Sequence, residues 1–167
     1  MHKSGHTHDT GAHDAGAMSA TQYYHLAIMT VLSFISMYVL MYAMVDVFGN
    51  VYMSLNQAYM AALMTAPMVI IELVVMGVMY ANKRLNLILI GVSALALALF
   101  FVLIRQQALI QDSQFVRSMI PHHAGAILMC EKASLSDVDL QALCRNIIAG
   151  QQAEIDQMKA KLADLSQ

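Results

Sequence analysis

An all-α membrane fold, three transmembrane helices followed by a helical hairpin, is predicted by three features of this sequence. Hydrophobic residues make up 59% of the chain and charged residues only 12%, about half the roughly 25% charged share of a soluble domain. Three apolar runs long enough to cross a bilayer succeed one another before Arg105. Beyond Arg105 the pattern turns amphipathic with a helical period.

Residues 1–20 combine Gly, Ala, Ser, Thr, His and Asp with almost nothing to bury, so a disordered tail is expected. They do not read as a secretory signal, whose short apolar segment follows a basic start directly. The membrane region is expected over residues 21–105. No Asp, Glu, Lys or Arg occurs from Ala15 to Val45, and Tyr24 to Val45 forms the first expected span. Phe48, Gly49 and Asn50 break it. The second run, Ala58 to Tyr80, is interrupted by Pro67 and Glu72, both tolerable where neighbouring helices satisfy the freed backbone or the carboxyl faces the bundle. The third, Leu85 to Ile104, has no charged residue in 20 positions and lies between Lys83-Arg84 and Arg105. Each run suffices, at about 1.5 Å per residue, to cross about 30 Å of hydrocarbon.

Residues 106–167 are expected to form the hairpin. Pro121 would kink its first helix or open a new one. Ser134 to Ser136 interrupt the pattern, and Asp137 or Ser136 caps a last helix with a seam at Leu140, Cys144, Ile147, Gln151, Ile155, Met158, Leu162 and Leu165. The turn Ala81 to Arg84 is basic, whereas the turn Val47 to Gln57 has no Lys or Arg. The positive-inside rule then puts the amino terminus inside and the hairpin outside, at the outer face of a bacterial inner membrane.

The net charge of -2 and the scattered Lys and Arg exclude the basic face that tracks a phosphate backbone, so no nucleic-acid partner is expected. No Ser-His-Asp order or Gly-rich phosphate loop suggests an enzyme. A di-iron oxidase would need several inward carboxylates, and only Glu154 faces the seam.

Chemistry concentrates at Met119-Ile-Pro-His122-His123, followed by Met129 and Cys130. At 3.6 residues per turn, Met119, His122 or His123, Ala126 and Met129 or Cys130 fall on one stripe. Thioether and imidazole donors suit copper, as Cu(I) or Cu(II), better than hard ions. A hairpin folding about residue 135 or 136 brings His122 and His123 level with Ile148 and Gln151, with Glu154 and Met158 further along. Methionine also fills helical cores without any ligand role, the plainer reading for Met129 or Met158 taken singly. Adjacent buried imidazoles, by contrast, need partners.

The run from Phe115 through Met119-Ile-Pro-His122-His123 to Met129, with Gln151-Gln152-Ala153-Glu154-Ile155-Asp156-Gln157-Met158, resembles the helical family catalogued as domain of unknown function 305. The resemblance covers about Asp112 to Leu165. It implies half of a ferritin-like four-helix bundle outside the cytoplasm, and Met119, His122, His123, Met129 and Met158 as copper ligands. The turn Ser134 to Asp139 lacks the histidine many members carry there, and no Trp lies near the end. A lone hairpin would need a second copy, or the spans, to cover its apolar face.

Three further features bear on function. His2, His6, His8 and His13, with Asp9 and Asp14, form a tract able to bind Cu(II), Ni(II) or Zn(II), although a merely solvated tail explains them as well. Met37, Met41 and Met44 in the first run, and Met60, Met64, Met68, Met76 and Met79 in the second, read first as gap-filling apolar residues. The alternative is a ladder for Cu(I), with the intramembrane Glu72 as gate or proton site. Cys130 and Cys144 could bond across the hairpin in an oxidising compartment, but their distances from the turn differ by about one helical turn, and they read as packing residues or accessory ligands. The expected function is non-enzymatic: a membrane-anchored protein that sequesters or relays copper. The competing expectation is an assembly subunit whose hairpin docks a protein partner.

Overall fold

The computed structural model describes the backbone of residues 10–165 and the side chains of residues 20–165. Five helices follow in order, α1 (Thr10–Leu40), α2 (Leu55–Val75), α3 (Lys83–Arg105), α4 (Asp112–Lys132) and α5 (Val138–Asp164), with short 3-10 turns at Met41–Met44 and Phe48–Asn50. No strand occurs among the described residues. Three segments, Ala20–Met44, Leu55–Val75 and Lys83–Arg105, are long and apolar enough to cross a membrane. α1 begins at Thr10, inside the stretch expected to lack structure. Helix propagates cheaply from an existing nucleus into an Ala-rich flank.

α2 is the central helix, packed against both α1 and α3. Its amino end is capped by the Ser54 hydroxyl, which accepts from the Gln57 amide, and it carries Pro67 internally. It stops at Val75 rather than running to Tyr80, because residues 76–82 turn the chain. Asn82 Oδ1 then accepts from the Leu85 amide to open α3. Outward residues such as Leu32, Val39, Leu87, Leu95 and Leu99 remain exposed, as lipid-facing positions do in a solvent of acyl chains.

All seven tyrosines of the chain fall toward the two ends of this three-helix unit. Tyr23 and Tyr80 pack at one end with ring centroids 5.3 Å apart and planes tilted by 46°. Near the other, the Tyr42 hydroxyl donates to the Tyr52 carbonyl at 2.8 Å and the Tyr59 hydroxyl to the Ala108 carbonyl at 3.1 Å. Tyr24 and Tyr42 are separated by about 27 Å of helix rise, close to a hydrocarbon thickness of about 30 Å. Tyrosine at both ends is the arrangement expected of helices that span a bilayer, whose aromatic belts lie at the two membrane–water interfaces.

α3 does not run on into the hairpin. The chain turns through residues 106–111, where Gln107 and Leu109 take φ of 49° and 61°. The turn is pinned to the start of α2 by paired amide bonds between Asn56 and Gln107 (2.9 and 3.3 Å) and by Gln114 Oε1, which accepts from the Leu55 amide at 3.0 Å. α4 then continues unbroken through a buried Pro121. α4 and α5 bury Val116, Ile120, Ala124, Ile127, Ile155 and Leu162 between them, and Val45 and Tyr52 close over this core. The membrane unit thus covers part of the hairpin's apolar surface.

The hairpin register differs from the expected one by about a turn. Residues 133–137 form an extended connection, with ψ of 130° at Ala133 and 129° at Asp137. α5 therefore starts beyond the end of α4, capped by Asp137 Oδ1 accepting from the Leu140 amide at 2.9 Å. Cys130 consequently meets Cys144 across the seam, with Cα atoms 5.2 Å apart and the two sulfurs bonded.

Candidate functional site

His122 and His123 are adjacent in sequence, and a step of about 100° along the helix sends them to different faces of α4. His123, 8% exposed, turns to α5. Its Nδ1 lies 2.9 Å from the Met119 carbonyl oxygen and its Nε2 2.7 Å from Glu154 Oε2. A carbonyl only accepts, so Nδ1 carries a proton and donates it. A metal on Nε2 would have to displace Glu154 or share it. With the shifted register, Glu154 rather than Gln151 is the polar partner; Gln151 is half-buried on α5.

His122 instead faces an open cleft of about 460 Å³ between α4 and the end of the membrane unit. Met119 and Met129 flank it on α4, while Met41 and Met44 enter from the end of the first span and Met60 from α2. Five thioethers and one imidazole therefore line one cleft. α4 comes this close to the membrane unit because residue 125 is glycine: a Cβ there would lie 3.3 Å from the Met44 carbonyl oxygen. Asn56, Gln57 and Gln107 supply amides at the rim.

Three of the expected metal residues, Met119, His122 and Met129, thus converge, and His123 with Glu154 forms a separate pair. Met158 packs against the hairpin core. Cys130 does not supply a ligand: its Sγ is bonded to Cys144, which removes the thiolate a metal would need. His2, His6 and His8, and the side chain of His13, lie outside the described residues. Among the described residues no three His, Cys, Asp or Glu side chains gather as a metal cage. Met41, Met44 and Met60 carried a signal in the sequence, their three- and four-residue spacing, but nothing local tied them to a histidine more than 60 residues away.

Glu72 lies one turn from the end of α2, not at mid-span, and accepts from the Tyr80 hydroxyl at 3.3 Å. Burial and the neighbouring Glu72 carboxylate push the Tyr80 phenol above its usual pKa, keeping it a donor. Tyr23 lies 2.5 Å from Asn86 Oδ1, and the Asn86 amide donates to the Tyr80 carbonyl at 3.1 Å. This network ties the three membrane helices together at their far end.

Comparison with known proteins singles out the hairpin. Residues 104–164 match the family model described as Domain of unknown function (DUF305). The match spans α4 and α5 and leaves most of the membrane unit outside it. An uncharacterized protein of Acanthamoeba polyphaga mimivirus is 29% identical over 140 residues, covering 82% of this chain and 90% of the relative. That length exceeds the hairpin, so this likeness extends into the membrane helices. No solved structure matches.

Proposed function

We propose that this is a membrane-embedded copper-binding protein that takes up Cu(I) in the cleft between hairpin and membrane helices, for sequestration or relay. The observation that carries the reading is the gathering of His122 with Met41, Met44, Met60, Met119 and Met129 from three separate segments. Neutral thioethers with one imidazole suit a soft monovalent ion and offer little to Mg²⁺ or Ca²⁺, which take oxygen ligands. The ferritin-like resemblance of the hairpin is in keeping with this reading. The Cys130–Cys144 bond suits an oxidising compartment. Together with the basic turn at Lys83 and Arg84, it favours a hairpin on the outer side of the membrane. No enzymatic step is part of the reading.

The test is a Cu(I) competition titration on detergent-purified full-length protein under ascorbate, with X-ray absorption to read the donor atoms. The proposed site gives mixed sulfur and nitrogen coordination. His122→Ala with Met119→Leu weakens binding at least tenfold, although the amino-terminal histidines remain. Equal affinity in the variant, with no sulfur in the coordination shell, would remove the cleft as the site and leave a membrane-anchored docking module as the better reading.

A further inference from the structure

We propose that the cleft opens onto a thioether track along α1 and α2 that carries Cu(I) across the bilayer to His25. The proposal rests on the reading of the cleft as a Cu(I) site, and its own support is a second groove. This groove, about 570 Å³, follows α1 between His25 and Leu40 and is lined by Met29 and Met37 of α1 and by Met68 of α2. Its end at Met37 and Leu40 adjoins Met41, which lines the cleft.

Met37, Met29 and His25 of α1 follow one another along this groove at offsets of eight and four residues, and Met41 stands four residues beyond Met37 on the adjoining 3-10 turn. Each offset of four turns the side chain by about 40°, so the track winds part-way round the helix. α2 runs antiparallel alongside. The Thr65 hydroxyl, 3.7 Å from Met37 Sδ, fixes the register and brackets the level of Met37 between Met64 and Met68. The long step from Met37 to Met29, about 12 Å of helix rise, is spanned by Ser33 and Met68 in the same groove. The two ends coincide with the tyrosine levels: His25 adjoins Tyr24, with ring centroids 6.2 Å apart, and Met41 adjoins Tyr42.

The lining selects the cargo. Ile28, Leu32 and Leu40 supply most of the remaining surface, and no Asp or Glu lines the groove. An ion entering it leaves its water behind. A divalent hard cation would meet only the Ser33 and Ser36 hydroxyls and the His25 imidazole, too few ligands to replace that water, whereas Cu(I) exchanges one thioether for the next. Each step breaks one dative Cu–S bond and forms another, except the last, which exchanges a thioether sulfur for an imidazole nitrogen of His25. Copper stays Cu(I), no electron or proton is transferred, and one positive charge moves.

The experiment reconstitutes full-length protein into phosphatidylcholine–phosphatidylglycerol vesicles that hold a membrane-impermeant Cu(I)-chelating dye, with Cu(I) and ascorbate outside. The expected result is dye colour developing faster than in protein-free vesicles. Met37→Leu with Met68→Leu, a swap that nearly conserves volume, lowers that rate at least tenfold while cleft copper in detergent is unchanged. Met76→Leu with Met79→Leu, outside the groove, keeps the rate. A rate no higher than in empty vesicles, from protein that holds copper in its cleft, would overturn the track and spare the binding function. A rate indifferent to the Met37 and Met68 substitutions would overturn it too. Protein that binds no copper in detergent would overturn both readings.

Discussion

At the residue scale, the fate of the paired histidines follows from one helical step. His123 is spent on the hairpin seam, where its two ring nitrogens meet the Met119 carbonyl and Glu154. Glu154 is exposed, so water screens the pair and its net contribution is modest, roughly 1 kcal/mol. Glu154→Ala should destabilise the protein by about that much, and Glu154→Gln, which keeps a hydrogen-bonding group, by less; thermal unfolding in detergent reads both. Neither change should weaken Cu(I) binding at His122, because Glu154 is not among the residues lining the cleft. Leu109 offers a change of opposite sign. Its φ of 61° is costly for a side chain with a Cβ, and its side chain is mostly exposed. Leu109→Gly should therefore raise stability by roughly 0.5–1 kcal/mol, seen as a higher unfolding temperature. A lower one would mean that the exposed leucine contributes by anchoring in lipid.

At the scale of elements, the hairpin is held by its seam, its disulfide and its seat on the membrane unit. The Cys130–Cys144 bond closes a loop with a sequence separation of 14, for which chain entropy in the unfolded state contributes about 3 kcal/mol. Cys130→Ser with Cys144→Ser should lower hairpin stability by roughly 2–4 kcal/mol, measurable by hydrogen exchange in α4 and α5. A maleimide should label no thiol before reduction and two after it; labelling before reduction would contradict the bond. The seat depends on Gly125. Gly125→Leu would drive a branched side chain into the backbone at Met44, an overpacking that costs about 1–3 kcal/mol. It should also pull Met41 and Met44 away from His122, so weaker Cu(I) binding should accompany the lost stability.

At the scale of the whole molecule, the tyrosine levels predict how deep each part should lie in a bilayer. Because the chain contains no tryptophan, single Tyr24→Trp, Tyr42→Trp and Phe34→Trp variants each introduce one indole fluorophore. Quenching by lipids brominated at graded depths should place the first two near the headgroups and the third near the bilayer centre. Deep quenching at Tyr42 would move the cleft into the hydrocarbon. The cleft is composite because the ends of the first two apolar helices, at Met41, Met44 and Met60, meet α4 at Met119, His122 and Met129.

The sequence by itself determined the parts of this protein whose physics is local. Transfer into lipid depends on the length and composition of a single run, so three apolar helices long enough to span were legible; their boundaries shifted by a few residues, and a turn at residues 76–82 cut the second one short. Helical period put Met119, Ala126, one of His122 and His123 and one of Met129 and Cys130 on a stripe, and a cap at Ser136 or Asp137; the structure selects His122, Met129 and Asp137. Tertiary structure decided the rest. An extended connection of five residues set the hairpin register, and with it the pairing of His123 with Glu154 and of Cys130 with Cys144. The docking of α4 at Gly125 brought Met41, Met44 and Met60 to His122. Neither decision has a periodic signature, because each depends on how far the chain advances between helices and on which backbones can approach, quantities that no single segment encodes.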